Sequence, residues 1–369
     1  MRGLPSPLLL SLFVATRAFA QDASPVYQTP SSSSSFRFRL DALFRQEWTQ
    51  DIRVNDTVRR DESRQRGQIR PRLEFGGKTF LLGVGGDFDY SSDTNVEPKP
   101  KVLRDNYDSR DARLDLAFAK IEPVRWLRID GGRFEMPVGL TEMIWDKDLR
   151  AQGAALTFQK MDDSGVARFG VTGLWSRASH VFDDPKVDMY VVSGQATVIG
   201  PADSRLQILG SYVAFQHIRN LEAMIRRQNT RPQGQLVNDY RVLDAVGRLT
   251  QGVNHPVQLV ADFCWNTAVS ENRRGIWLAA ALGSLKTSRL RGEYTFATVD
   301  KDATQGAYAT DDFFWTTGWK GHRGEIATRA GDKTSIHLIG EIMRFKDSGI
   351  EDERSHWDKR YRLEVRVKL

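Results

Sequence analysis

Nine basic residues recur at matching spacings in three stretches of the chain: Arg37, Arg39 and Arg45 in FRFRLDALFRQEW, Arg66, Arg70 and Arg72 in and just before IRPRLEF, and Arg362, Arg366 and Lys368 in the closing RYRLEVRVKL. Rows of guanidinium and ammonium groups on one face do not make or break bonds. They attract anions, and they do so best along a low-dielectric wall that focuses the field. Asp41, Glu47, Glu74 and Glu364 interrupt the rows, so a wall of internally salt-bridged residues with little selectivity is the competing reading. A second charged set, Glu135, Glu142, Asp146 and Asp148, lies in GGRFEMPVGLTEMIWDKDLRAQG at 131–153, among Phe134, Met136, Val138, Leu140, Met143, Ile144, Trp145 and Leu149. That segment is too apolar to stand in water as an open loop and must fold against something.

Bond-making chemistry finds little to rest on. The six histidines are scattered, none four residues from another and none with a cysteine partner, so neither a metal site nor a cofactor is expected. GVGGDF at 83–88 sits inside a strand pattern with no helix to follow, and DNYDSRD at 105–111 misses the spacing of a Ca²⁺ loop. Ser335 and His337 form the single same-strand nucleophile–base pair, which an outer-membrane hydrolase would place on the outer face. No enzyme is expected. Cys264 is the lone cysteine, unable to form an internal disulfide, and reads as a structural residue on an apolar-flanked strand.

The elements that must carry these residues are strands. In the last ten residues Tyr361, Leu363, Val365, Val367 and Leu369 alternate with Arg362, Glu364, Arg366 and Lys368, a period-2 pattern without a miss. The pattern returns in sixteen segments from Phe36 onward, with the position of the segment between Phe313 and Arg329 unsettled because WTTGWKGH and RGEIATR compete for it. No helical period is sustained. The links alternate long (49–64, 91–110, 136–152, 176–186, 216–240) and short (76–78, 122–125, 161–165, 200–203, 250–256), with one exception near Glu271–Arg274. Sixteen antiparallel strands must curl into a barrel or split into a sandwich, and the alternation of links favours a transmembrane barrel with short periplasmic turns and long extracellular loops. At this strand number the interior is too wide for side chains to fill and remains an aqueous lumen.

The ends and the composition agree with export to a membrane. Residues 1–20 carry Arg2, an apolar stretch at 8–16 and Ala18-Phe19-Ala20, the layout of a cleaved secretory signal. Residues 21–35 form a flexible Ser/Pro-rich leader, too short for a plug domain, and 36–369 form the barrel. Loss of Arg2 and Arg17 leaves 51 basic against 47 acidic residues. With so small a surplus and no basic block, nucleic acid is not an expected partner. Mean hydropathy is −0.46 and no run is long enough for a spanning helix. Trp48, Tyr90, Trp126, Trp175, Tyr190, Tyr212, Trp265, Trp277 and Tyr361 fall near strand ends or on the apolar face, as interfacial girdles do.

A strand followed by GRFEMPVGL, together with the sixteen-strand layout, resembles the phosphate-selective porin O and P family and related porins. The resemblance implies an outer-membrane diffusion porin, often a homotrimer set in lipid and lipopolysaccharide, whose third long loop narrows the lumen. It implies passage of small hydrophilic solutes or anions. On the residues themselves, a loop tucked into the lumen would set Glu135, Glu142, Asp146 and Asp148 facing the basic wall across the opening, and a loop packed at the rim is the alternative. One departure stands against phosphate selectivity, since arginine replaces the family's lysine-rich centre; a second concerns assembly, since the chain ends in Leu369 where barrels commonly end in phenylalanine, although the alternating terminal strand still offers an assembly signal. The competing class is a barrel or secreted all-β protein that serves as a binding or structural scaffold without a conducting pore.

Overall fold

The computed structural model describes residues 35–53, 59–92, 112–161, 166–177, 187–201, 204–218, 229, 230, 236, 239–310, 313, 317–346 and 356–369. The expected signal at 1–20, residues 21–34 of the Ser/Pro leader and the acidic stretch at 105–111 lie outside these residues.

Sixteen strands follow in chain order: β1 (Ser35–Arg53), β2 (Arg59–Gly76), β3 (Phe80–Ser91), β4 (Ala112–Val124), β5 (Leu127–Phe134), β6 (Ala151–Met161), β7 (Ala167–Arg177), β8 (Asp188–Ile199), β9 (Arg205–Gln216), β10 (Tyr240–Gln251), β11 (Val257–Asn266), β12 (Arg274–Leu282), β13 (Leu290–Val299), β14 (Trp319–Arg329), β15 (Thr334–Phe345) and β16 (Asp358–Lys368). Each strand pairs antiparallel with its chain neighbours, and β1 pairs with β16 to close the barrel. Closure satisfies every edge, which a sheet surrounded by hydrocarbon requires.

Alternation explains which residues go where. In β7, Gly170, Thr172, Leu174 and Ser176 are buried toward the inside while Val171, Gly173 and Trp175 are exposed outside. Phe36, Phe38, Ile69, Leu73, Phe158, Val192, Ile208, Ile326 and Leu338 are likewise exposed, and an apolar outer surface of this extent is what lipid accepts. The strict pattern at the C-terminus now has its reason. Leu369 donates its N–H to the Leu40 carbonyl at 2.8 Å and accepts from Leu40 N–H at 3.1 Å, so the ladder between β16 and β1 runs to the final residue.

Several expectations are corrected. The link assigned to 49–64 is mostly strand, because β1 and β2 run on to Arg53 and back from Arg59. WTTGWKGH and RGEIATR do not compete: β14 takes the end of the first and all of the second in one strand. Trp277 does not belong to an outer girdle. It points inward, 1% exposed, with its ring edge-on to Phe313. Ser335 and His337 also face the lumen rather than the outer surface, since Leu338 and Ile342 hold the exposed positions of β15.

Candidate functional site

The segment from Glu135 to Arg150 leaves β5 and crosses the barrel. It departs next to Gly132, whose φ of 101° favours glycine and where a Cβ would stand 2.3 Å from the Ala117 carbonyl oxygen. Its anchors define its path. On the near side Arg72 Nη1 reaches Glu135 at 3.0 Å, Arg70 Nη1 reaches Asp148 at 2.8 Å, and Arg150 Nη2 reaches Asp115 of β4 at 2.9 Å. On the far side Arg248 of β10 donates to the Gly139 carbonyl at 2.7 Å, Thr141 donates to Asp262 of β11, and Arg323 of β14 lies 3.4 Å from Glu142. β2 and β10 are eight places apart in the closed ring of sixteen, so the loop spans the diameter of the lumen.

Apolar packing fixes the far end. Met143 Sδ sits 3.9 Å from Cys264 Sγ, in a niche that exists because residue 275 is glycine: a Cβ there would lie 2.6 Å from both sulfurs. A second inward segment, following β13, meets the first. Asp146 N–H donates to the Tyr308 carbonyl at 2.7 Å and Thr310 N–H to the Glu142 carbonyl at 2.9 Å. The rings of Trp145, Tyr308 and Phe215 stack in series at 5.9 and 5.1 Å, and Phe313 packs edge-on to Trp319 at 4.8 Å. Such ring pairs add about 0.5–1.5 kcal/mol each beyond the area they bury. Asn229, from the connection before β10, joins by donating to the carbonyls of Lys301 and Thr304 at 2.7 and 2.9 Å. Together these segments and inward residues of strands from β4 to β15 form one buried apolar cluster inside the barrel.

The four loop acids separate into different roles. Glu135 and Asp148 grip the basic wall directly instead of facing it across an opening. Glu142 is held by Lys147 at 3.3 Å and by Arg323 on another part of the wall. Asp146 is 1% exposed and accepts the Asp148 N–H at 2.8 Å, which shapes the loop's own turn. Only Glu135 and Lys147, at 55% and 46% side-chain exposure, present substantial charge to lumen water among these groups. Partial desolvation works to raise the Glu135 carboxyl, but Arg72, Arg150 and Lys120 outweigh it and bring it down to about 2.

The nine basic residues lie on the adjacent strands β16, β1 and β2, and most are engaged there by carboxylates. Arg45 meets Glu364 at 2.6 Å, Arg66 meets Asp89 at 3.0 Å, and Arg362 meets Glu47 at 2.8 Å, all three guanidinium groups being buried. Arg39 and Arg72 flank Glu74 at 3.1 and 2.7 Å, Arg70 also reaches Asp87 at 3.3 Å, and Arg366 Nε donates to Glu364 at 2.8 Å. Arg37 donates to the Ser35 hydroxyl at 3.2 Å, and Lys368 stands opposite Asp41 in the β1–β16 register. The wall is a mixed ionic lattice.

The second inward segment had no counterpart in the expectations. Its signal was present in Ala303, Ala307, Tyr308 and Phe313, which crowd small and aromatic residues into a link before β14.

Comparison with known proteins places this architecture. A family model described as "Putative porin" matches residues 91–224, a little over a third of the chain, and its description carries no phosphate-selective label. No curated protein matches the sequence. The barrel superimposes on OccAB1 of Acinetobacter baumannii with a TM-score of 0.52 and 10% identity, covering 96% of this chain and 99% of that one. For OmpF of Salmonella typhi in complex with daunomycin the TM-score is 0.51 at 13% identity, over 90% and 97% of the two chains. For a triple mutant of the Rhodopseudomonas blastica porin it is 0.50 at 8% identity, over 91% and 100%. At these identities the likeness is one of fold: the chain is a sixteen-stranded porin-type barrel.

Proposed function

We propose that the chain is an outer-membrane porin of a Gram-negative bacterium, through which small hydrophilic solutes diffuse down their gradients. The observation that carries this reading is a lipid-compatible closed barrel whose inner loop crosses the lumen and is tied at both ends, which supports a narrowed pore. Export by a signal at 1–20, insertion among lipid and lipopolysaccharide, and assembly as a homotrimer belong to the same reading. So does a mild preference for anions. Carboxylates engage most of the basic wall, so the bias rests on Arg37 and Arg39, which are more exposed than Arg45, Arg66 and Arg362, at the end of the barrel where both termini lie.

One observation favours a second reading. The apolar cluster inside the barrel fills part of the lumen, as would suit a barrel that anchors a scaffold and conducts nothing. Single-channel recording of the refolded mature chain in a planar bilayer under a KCl gradient separates the two. Discrete open steps with a small anion-selective reversal potential are expected; folded, heat-modifiable protein without current would overturn the porin reading.

A further inference from the structure

Away from the loop, β14 and β15 bring a nucleophile, a base and a carboxylate into one line on the lumen wall. Ser335 Oγ lies 2.8 Å from His337 Nε2, and His337 Nδ1 lies 2.7 Å from Glu325 Oε1. Ser335 and His337 are two residues apart on β15 and so share its inward face. Glu325 arrives from β14, two residues before Ala327, which stands opposite His337. The proton arrangement follows from the partners. An ionised carboxylate only accepts, so Nδ1 carries the proton, and in the neutral imidazole Nε2 is left as the acceptor for the Ser335 hydroxyl. That is the polarity in which a histidine serves as general base to a serine while a carboxylate orients it.

The surroundings add a charge preference. Arg366 of β16 stands directly opposite Ser335, 27% exposed, with its Nε donating to Glu364 at 2.8 Å. Directly opposed residues hold their Cβ atoms about 5 Å apart, close enough for a guanidinium to meet a group bound at the serine. His337 is 4% exposed while Ser335 is half-buried, so the hydroxyl is the member of the three that a solute in the lumen can touch.

We propose that Ser335, His337 and Glu325 form a hydrolytic site for small carboxylic esters that bear a negative charge. Ser335 Oγ bonds to the ester carbonyl carbon as its proton passes to His337 Nε2. The carbon–oxygen bond to the alcohol breaks, and His337 returns the proton to the departing alkoxide. Water then adds to the acyl-serine with His337 taking its proton, and that proton returns to Oγ as the carboxylic acid leaves. Ser335 and His337 are the catalytic residues; Glu325 is a positioning residue, and Arg366 draws the anionic end of the ester.

The test uses the refolded full chain, with heat-modifiable migration as the check on folding. A fluorophosphonate probe should label it, with peptide mass spectrometry placing the label on Ser335. Labelling should vanish in Ser335→Ala and fall about 100-fold or more in His337→Ala, the scale of general-base catalysis. Glu325→Gln should slow labelling and shift its pH profile, and Glu325→Asp should restore part of the rate, neither of which a purely structural carboxylate would do. Mono-p-nitrophenyl succinate should be hydrolysed faster than p-nitrophenyl acetate, and Arg366→Gln should erase that preference. Folded protein that labels no more than Ser335→Ala, or that labels elsewhere, overturns the proposal.

Discussion

Along β16, β1 and β2 the inward positions carry Arg362, Glu47, Arg45 and Arg66, whereas along β8, β9 and β10 they carry Val191, Leu209, Val213 and Val242. Both regions are buried and both hold one end of the same loop, the first by ion pairs and the second by apolar packing joined to the hydrogen bonds of Arg248 and Thr141. The first is a lattice in which most described guanidinium groups meet a carboxylate, so its stability depends on balance: take one charge away and its partners stay behind in a low-dielectric wall. The second is packed side chains, where loss is local and scales with the space left empty. Water can follow the ionic region, because charged groups keep a favourable exchange with it, and cannot follow the apolar one. The passage proposed for solutes therefore runs along β16, β1 and β2, past the exposed Glu135 and Lys147.

The sharpest way to break this contrast is Glu47→Ala. Glu47 lies 2.9 Å from Arg64 and 2.8 Å from Arg362, with Arg360 at 4.0 Å, and all four side chains are largely buried. Removing it should destabilise the barrel by about 3–5 kcal/mol, the scale of a broken buried pair. Urea unfolding of the detergent-refolded protein should show a lower midpoint with an unchanged slope. Replacing Glu47 and Arg362 together by leucine should recover part of the loss, since an apolar pair leaves less uncompensated charge. If the single variant unfolds like the parent, the lattice is not what holds this wall.

On the apolar side Met143→Ala should cost about 2–5 kcal/mol of loop docking, as buried methionine truncations do. Its effect belongs to the loop and not to the barrel. The urea midpoint should move little while the open-channel current becomes larger and noisier, because the far anchor beside Cys264 and Gly275 is lost. Deleting Glu142–Asp148 removes the crossing itself and should give the largest conductance of the series. An unchanged current in the deletion variant would place the solute path away from this loop.

Sequence periodicity carried most of the barrel and less of its interior. An apolar outer face in lipid and a polar inner face leave a period-2 trace that survives in single strands, and ring closure follows from the count. Loops folded into a lumen leave no such trace. The 131–153 segment could be singled out because its apolar residues are dense, but which wall each acid meets depends on strands that are distant in sequence. Arg323 reaches Glu142 across a separation of 181 residues. Trp277 was misassigned because an aromatic at an alternate position looks the same whether it faces lipid or a packed lumen; only Phe313 and Arg323 around it make the difference. The Ser335–His337 spacing was legible, whereas Glu325, which completes the line, comes from the neighbouring strand.

Acidification should sharpen the comparison by loosening the ionic anchor alone. Glu135 is held at about 2 against an ordinary value of 4.5, so its attraction to Arg72 is complete above pH 4.5 and is lost as the pH falls toward 2. Conductance should be flat from neutral pH down to about 4.5 and rise below it, with the Met143 anchor still in place. Glu135→Gln should show the acid-state conductance at pH 7 and lose the step. A parent channel whose current does not change between pH 4.5 and 2 would mean that Asp148 and Arg70 hold this end without Glu135.

The smallest expected effect is on ion choice. Arg45, Arg66 and Arg362 are buried against carboxylates and contribute almost no net field to the passage. Arg37 and Arg39 are more exposed, Arg39 at 35%, so solvent screens the pull of Arg39 on the buried Glu74 carboxylate, which Arg72 also holds at 2.7 Å. Arg37→Gln with Arg39→Gln should therefore leave stability untouched and move the reversal potential a few millivolts toward cations in a KCl gradient, an effect that fades in high salt as screening shortens the reach of the charges. Arg45→Gln should do the reverse, lowering stability by leaving Glu364 with less compensation while the reversal potential stays put. If the buried arginine proved the more important for selectivity, the lattice would have to be open to the permeating ion, and the division between an ionic path and a sealed apolar side would fail.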